Sequence, residues 1–143
     1  MAAEDFFMTV EEANDRLPLV RAIVRDAVGL KRDVLARQDR LLELRERYPD
    51  ENNEDSSYSE EVMQMEESLE ADEIRIDEYI QELQQIGAVL TDAEAGLVEF
   101  ASSLGGDRVW LSWMYDEPGV SFWRAADDQP AERRPLEPAG QTN

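Results

Sequence analysis

The chain has 143 residues, 42% of them hydrophobic, and a formal net charge of -20 from 34 acidic against 14 basic side chains, with neither cysteine nor histidine. That size supports one folding unit over residues 1–143, and the missing Cys and His remove disulfides, thiolate metal sites, the commonest general base and the usual nucleophilic triads. The negative charge disfavours nucleic acid and anionic membranes, no apolar run approaches the roughly 20 residues needed to span a bilayer, and the acidic start Met1 to Met8 has the wrong polarity for a targeting segment, so the expected setting is cytoplasmic.

Thr9-Val10-Glu11-Glu12 is a capping box, in which the Thr9 hydroxyl and the Glu12 carboxylate each satisfy a free backbone amide at a helix start. Pro18 predicts that this helix is short, 9–16, and that a corner leads into a second helix, 18–48, about 45 Å long. Tyr48-Pro49 is expected to end it. The polar stretch 50–59 reads as a connecting loop, without the glycine and terminal Glu spacing of a calcium-binding EF-hand. Ser57 and Glu60 form another capping box, and the return helix, 57–86, is expected to stop at Gly87.

Both long helices carry apolar ladders at steps of three and four: Val20, Ile23, Ala27, Leu30, Val34, Leu41, Leu44 and Tyr48 on the first, and Val62, Met65, Leu69, Ile76, Tyr79, Leu83 and Ile86 on the second. Residues 17–48 carry a net charge of +3 and residues 50–82 a net charge of -13, so the helices should attract each other as an antiparallel, coiled-coil-like hairpin. Arg37 and Asp72 interrupt the two ladders at nearly the same height. They form either a partly buried pair that fixes register or two solvated charges on slightly rotated helices. Folding back also brings Lys31 towards Glu73, Arg47 towards Glu61 and Arg75 towards Asp33. The apolar residues left over, Leu19, Val24, Val28, Leu35, Leu42, Ile74 and Ile80, call for cover. The meander can cover the end near Val20 and Ile86 but not the far tip, where self-association into a homodimer would bury the rest, the alternative being an extended monomer with a wet tip.

Beyond Gly87 the pattern becomes extended. Segments 96–100, 108–113 and 119–124, bounded by Gly105-Gly106-Asp107 and Asp116-Glu117-Pro118-Gly119, read as a three-stranded antiparallel β-meander over 96–124, followed by an irregular tail, 125–143. Alternation places Trp110 and Trp113 on opposite faces, so one face should lie on the helices. The other, an aromatic patch with Arg124 and Arg108 nearby, is either a docking surface or is covered by the helix ends or by Arg133-Arg134-Pro135-Leu136. Asp92, Glu94, Glu99 and Glu117 concentrate carboxylates where the hairpin meets the strands. They serve either turns and caps or a small-ligand or divalent-metal site.

The chain resembles a widespread bacterial family described as a domain of unknown function. The resemblance rests on the stretch Phe7-Met-Thr-Val-Glu-Glu-Ala-Asn14-Asp-Arg-Leu17-Pro18, a charged helical hairpin, Asp92 to Phe100, Val109 to Trp113, Glu117-Pro118, Phe122-Trp123 and Arg133 to Leu136. It implies that the positions of Ser112 and Arg124 are often Cys and His in relatives. If relatives hold a metal there, this chain lacks both ligands. The resemblance implies no substrate, cofactor or reaction.

The expected fold is therefore mainly α: a short N-terminal helix, a long antiparallel hairpin and a small three-stranded meander. The expected function is a noncatalytic protein-interaction module, acidic and self-associating, with no cofactor and no catalytic or metal-ligating residue assigned. The alternative is a small-ligand or divalent-metal binding protein, possibly enzymatic, at the hairpin/meander junction. The candidate surface comprises Asp92, Glu94, Glu99, Trp110, Trp113, Glu117, Trp123 and Arg124.

Overall fold

The computed structural model describes residues 7–47 and 56–136. The expected helix end at Tyr48-Pro49, most of the acidic loop, the Ser57 capping side chain, the residues before Phe7 and the end of the tail lie outside the described residues. Helix α1, Val10–Arg47, and helix α2, Ser56–Gln85, form an antiparallel hairpin and are followed by β1 (Val89–Asp92), β2 (Leu97–Leu104), β3 (Asp107–Met114), β4 (Phe122–Ala125) and β5 (Arg134–Pro135). No helix among the described residues is long and apolar enough to cross a membrane.

The capping box forms, with the Thr9 amide donating to Glu12 Oε1 and the Glu12 amide to Thr9 Oγ1, each at 3.0 Å. The expected short helix and corner do not. α1 runs unbroken through Pro18 for 38 residues. An internal proline forfeits one backbone hydrogen bond at a cost of about 3 kcal/mol. Ala13, Leu17, Val20 and Val24 form one buried stripe across that point, and burying a Leu or Val side chain is worth about 1.5–3 kcal/mol each. Keeping the stripe on the sheet outweighs the lost bond.

The second correction concerns the sheet. It has five antiparallel strands in the order β1-β2-β3-β4-β5, not the three of a meander, so the mainly-α description holds only in part. The core of the expected meander is present: Leu104 pairs with Asp107, and Gly105 and Gly106, at φ 60° and 89°, supply the two left-handed residues of a tight hairpin turn. The added strands are short edges. β1 follows directly on the end of α2, where the Ala88 amide donates to the Leu83 carbonyl (2.9 Å) and that of Gly87 to Gln84 (3.1 Å). β5 is two residues long, held against β4 with Phe122 opposite Pro135 and Trp123 opposite Arg134. Strands this short carry no periodicity of their own.

The inner face of the sheet presents Val98, Phe100, Leu111 and Trp113 to Leu17, Val20, Val24 and Val28 of α1 and Leu83 of α2. Val24 and Val28, among the residues expected to need cover, are thus covered by the sheet. Further out, Val34, Leu41, Leu69 and Ile76 form a separate small cluster between the helices. There Arg37 donates to Asp72 (2.5 Å) and to Ser68 Oγ (2.6 Å) and contacts Asp33 (3.0 Å). Gln38 reaches Glu73 at 3.1 Å, and Arg45 pairs with Glu66. Arg75 stays on its own helix, 2.9 Å from Glu78 and over the Tyr79 ring.

Candidate functional site

Strand alternation separates the sequence-predicted residues into two groups. Trp113 faces inward and is fully buried. Trp123, opposite Leu111, lies at the edge of the same face with Arg134 over its ring at 5.1 Å. Glu99, Trp110, Ser112 and Arg124 share the outer face, since Glu99 pairs with Ser112 and Trp110 with Arg124.

A guanidinium and a carboxylate both lose water on burial, so they persist there only when they satisfy each other and their remaining hydrogen bonds. This happens once in full on the outer face and once, in a half-buried pair, at its margin. Arg124 grips Glu99 in two-pronged fashion, Nε to Oε2 at 2.5 Å and Nη2 to Oε1 at 2.9 Å, and Glu99 is only 2% exposed. Thr91 Oγ1 adds a bond to Glu99 (2.7 Å), Arg124 Nη1 donates to the Asp128 carbonyl (2.6 Å), and the guanidinium lies over the Trp110 ring. The hydrogen bonds to Glu99 raise the Arg124 pKa further above its ordinary value, against the effect of burial.

In the second pair, Arg133 donates to both Glu117 oxygens (2.7 and 2.9 Å), to Ser112 Oγ (2.7 Å) and to the Ser112 carbonyl (3.2 Å), and stacks over Phe122 at 4.2 Å. Burial pushes the Glu117 carboxyl up, but the bonds from Arg133 and the Met114 amide, with the charge of Arg133, outweigh it and hold its pKa below the ordinary value. A carboxylate held deprotonated in this way is a poor proton donor near neutral pH.

Segment 126–136 therefore covers part of the outer face, as one of the two sequence readings has it. It is fastened by Arg133 to Ser112, by the Ala125 amide to Asp128 Oδ2 (3.1 Å), and by the Leu136 amide to the Ser121 carbonyl (2.8 Å), while Arg134 to Asp128 (2.9 Å) braces the segment internally.

Asp92 and Glu94 do not join these pairs. Asp92 Oδ1 accepts the amides of Glu94 (3.0 Å) and Ala95 (3.1 Å) and so closes the β1–β2 turn. The Glu94 carbonyl receives Arg32 from α1 at 3.3 Å. The candidate carboxylates are thus distributed, with Asp92, Glu99 and Glu117 each on its own local partners and Glu94 engaged through its backbone, and no group of three or more His, Cys, Asp or Glu able to hold a metal ion occurs among the described residues.

Sequence reasoning did not single out the residues that anchor the β3–β4 loop. Asn14 Oδ1 accepts the Val120 amide (2.9 Å) while its Nδ2 donates to the Val10 carbonyl (3.1 Å). Arg21 reaches the carbonyls of Glu117 and Pro118, both at 3.3 Å, and lies over Trp113, whose Nε1 donates to the same Glu117 carbonyl at 3.0 Å. The signal was available: Asn14 sits inside the N-terminal motif, and a helical Asn at a buried edge needs a partner.

No curated protein and no solved structure matches the chain. Residues 6–136 match the model of a family described as an uncharacterized conserved protein (DUF2203), and the chain belongs to that family.

Proposed function

We propose that this protein is a noncatalytic, acidic, cytoplasmic interaction module that self-associates as a homodimer through the outer half of its hairpin. The observation that carries this reading is the exposure of Leu42, Met63 and Ile74, at 56–57%, on the part of the hairpin that the sheet does not cover. Leu35, Gln38, Leu42 and Arg45 follow helical steps of three and four along one stripe of α1. Gln38 and Arg45 of that stripe reach Glu73 and Glu66 of α2. The paired arginines and carboxylates of the outer sheet face favour a noncatalytic role, because their charges are already spent on one another.

A second copy suits this surface because the helices differ in charge. A two-fold arrangement that lays the net positive α1 of one copy on the net negative α2 of the other pairs opposite signs and completes a four-helix layer. The whole chains, at -20 each, still repel, so added salt should tighten the dimer.

Sedimentation equilibrium tests this. A two-fold mass that rises in population with salt and reverts to one-fold in Leu42→Glu or Ile74→Glu, with helical content unchanged, supports the reading. A one-fold mass for wild type at all salt concentrations overturns it.

A further inference from the structure

The outer face of the sheet is not fully covered. Leu97 and Met114 are a directly opposed pair of β2 and β3 on that face, and segment 126–136 passes beside them without filling the space above. The result is a groove of about 470 Å³ lined by Leu97, Met114 and Ala95, by Pro130 and Ala131 of the covering segment, and by the polar residues Thr91, Asp92 and Arg133. Its size lies within the roughly 300–1,000 Å³ range of small-molecule sites, and apolar walls with a few polar groups are the usual composition of such sites.

The polar groups decide the ligand. The Thr91 hydroxyl is engaged by Glu99. The Arg133 charge is offset by Glu117, and its nitrogens hold Ser112 as well. Asp92 differs, because the turn amides bind only its Oδ1, which leaves this exposed carboxylate of the groove lining with an oxygen free to receive a ligand. A ligand carboxylate would meet Asp92 and the field of a chain at -20, whereas an ammonium is drawn by both. We propose that this groove binds a small primary amine with an apolar chain, the chain lying on Leu97 and Met114 and the ammonium on Asp92 Oδ2. Since Pro130 and Ala131 form one wall, an occupied groove also fastens the covering segment to the sheet.

The test follows the isotope-labelled methyl group of Met114 by NMR in the full chain, assigned through Met114→Leu, with n-hexylamine, n-hexanoate and n-hexanol as probes at fixed pH and ionic strength. Hexylamine should shift the Met114 signal saturably and leave those of Met63 and Met65 in place, with hexanoate weaker by roughly tenfold or more. Asp92→Asn keeps Oδ1 for the turn but removes the charge, and should weaken hexylamine by roughly tenfold. Ala131→Trp fills the groove from an exposed position and should abolish the shift while the melting temperature holds. No saturable shift at Met114, equal binding of hexanoate, or an unchanged affinity in Asp92→Asn overturns the proposal.

Discussion

The base of the hairpin and its outer half are made from the same two helices, yet they are held by different means. At the base, residues of α1 and α2 bury a continuous core against four residues of the inner sheet face, among them Phe100 and Trp113. In the outer half, Val34, Leu41, Leu69 and Ile76 form a small separate cluster, and polar bonds of Arg37, Gln38 and Arg45 take up the flanks. Apolar burial scales with area, so the third layer supplied by the sheet makes the base the stable part. Two helices alone share only a narrow seam, so Leu42, Met63 and Ile74 of the outer half stay exposed.

The sharpest way to break this comparison is to remove one large side chain from each region. Trp113→Ala should lower the unfolding free energy by about 3–5 kcal/mol, whereas Leu41→Ala, beside solvent in a cluster free to collapse, should cost about 2 kcal/mol. Equilibrium urea unfolding measures both, and equal losses would mean that the outer half is as tightly built as the base.

The ion pairs give the next contrast. Breaking the buried Glu99–Arg124 pair with Arg124→Leu leaves a carboxylate without its partner and should cost about 3 kcal/mol. The Arg37 and Asp72 side chains are 22% and 32% exposed, so either single change to Leu should cost about 1 kcal/mol. Arg37 Nε is also buried without a partner. The double Arg37→Leu/Asp72→Leu variant should therefore match or exceed wild type in melting temperature. Negligible effects from all three variants would reject a register role for the pair.

Gly29 sharpens the comparison from the opposite direction. It lies inside α1, with nothing within 4 Å of the place a Cβ would occupy, so Gly29→Ala should stabilise by up to about 1 kcal/mol in urea unfolding. Gly96 is its counterpart at the base: φ is +78°, and a Cβ would lie 2.7 Å from Tyr115 Cβ and 3.3 Å from Val28 Cγ2. Only glycine lets that turn approach the helix.

A smaller, pH-dependent effect belongs to the base through Glu117. Its pKa is lowered from the ordinary 4.5 in the folded chain, so its contribution is fully present above that value and is lost as pH falls through the lower folded value. Glu117→Gln should accordingly be less stable than wild type near neutral pH, and the gap should close on acidification. A gap that stays constant with pH would show that charge on Glu117 does not matter.

Much of the architecture was legible in the residues. The Thr9/Glu12 box, the two apolar ladders and the Gly105-Gly106 turn all act over a few positions, and each appears where its pattern places it. Pro18 misled because a local rule was outweighed by burial on both sides of it. β1 and β5 were missed because an edge strand of two to four residues is held by its neighbour and leaves no pattern in its own sequence. In the candidate surface, the carboxylates and aromatics could be named, but not their partners. Arg133 and Asp128 join the site only because segment 126–136 turns back over the outer face.

The order of amino acids by itself determined that two oppositely charged helices form a hairpin followed by antiparallel strands, because periodicity, capping and turn preference are properties of neighbouring residues. Only the tertiary structure decided which carboxylate meets which guanidinium, which tryptophan enters the core, and where a groove stays open. Those outcomes depend on the packing of atoms far apart in the chain, where desolvation allows a buried charge only if a distant segment delivers its partner.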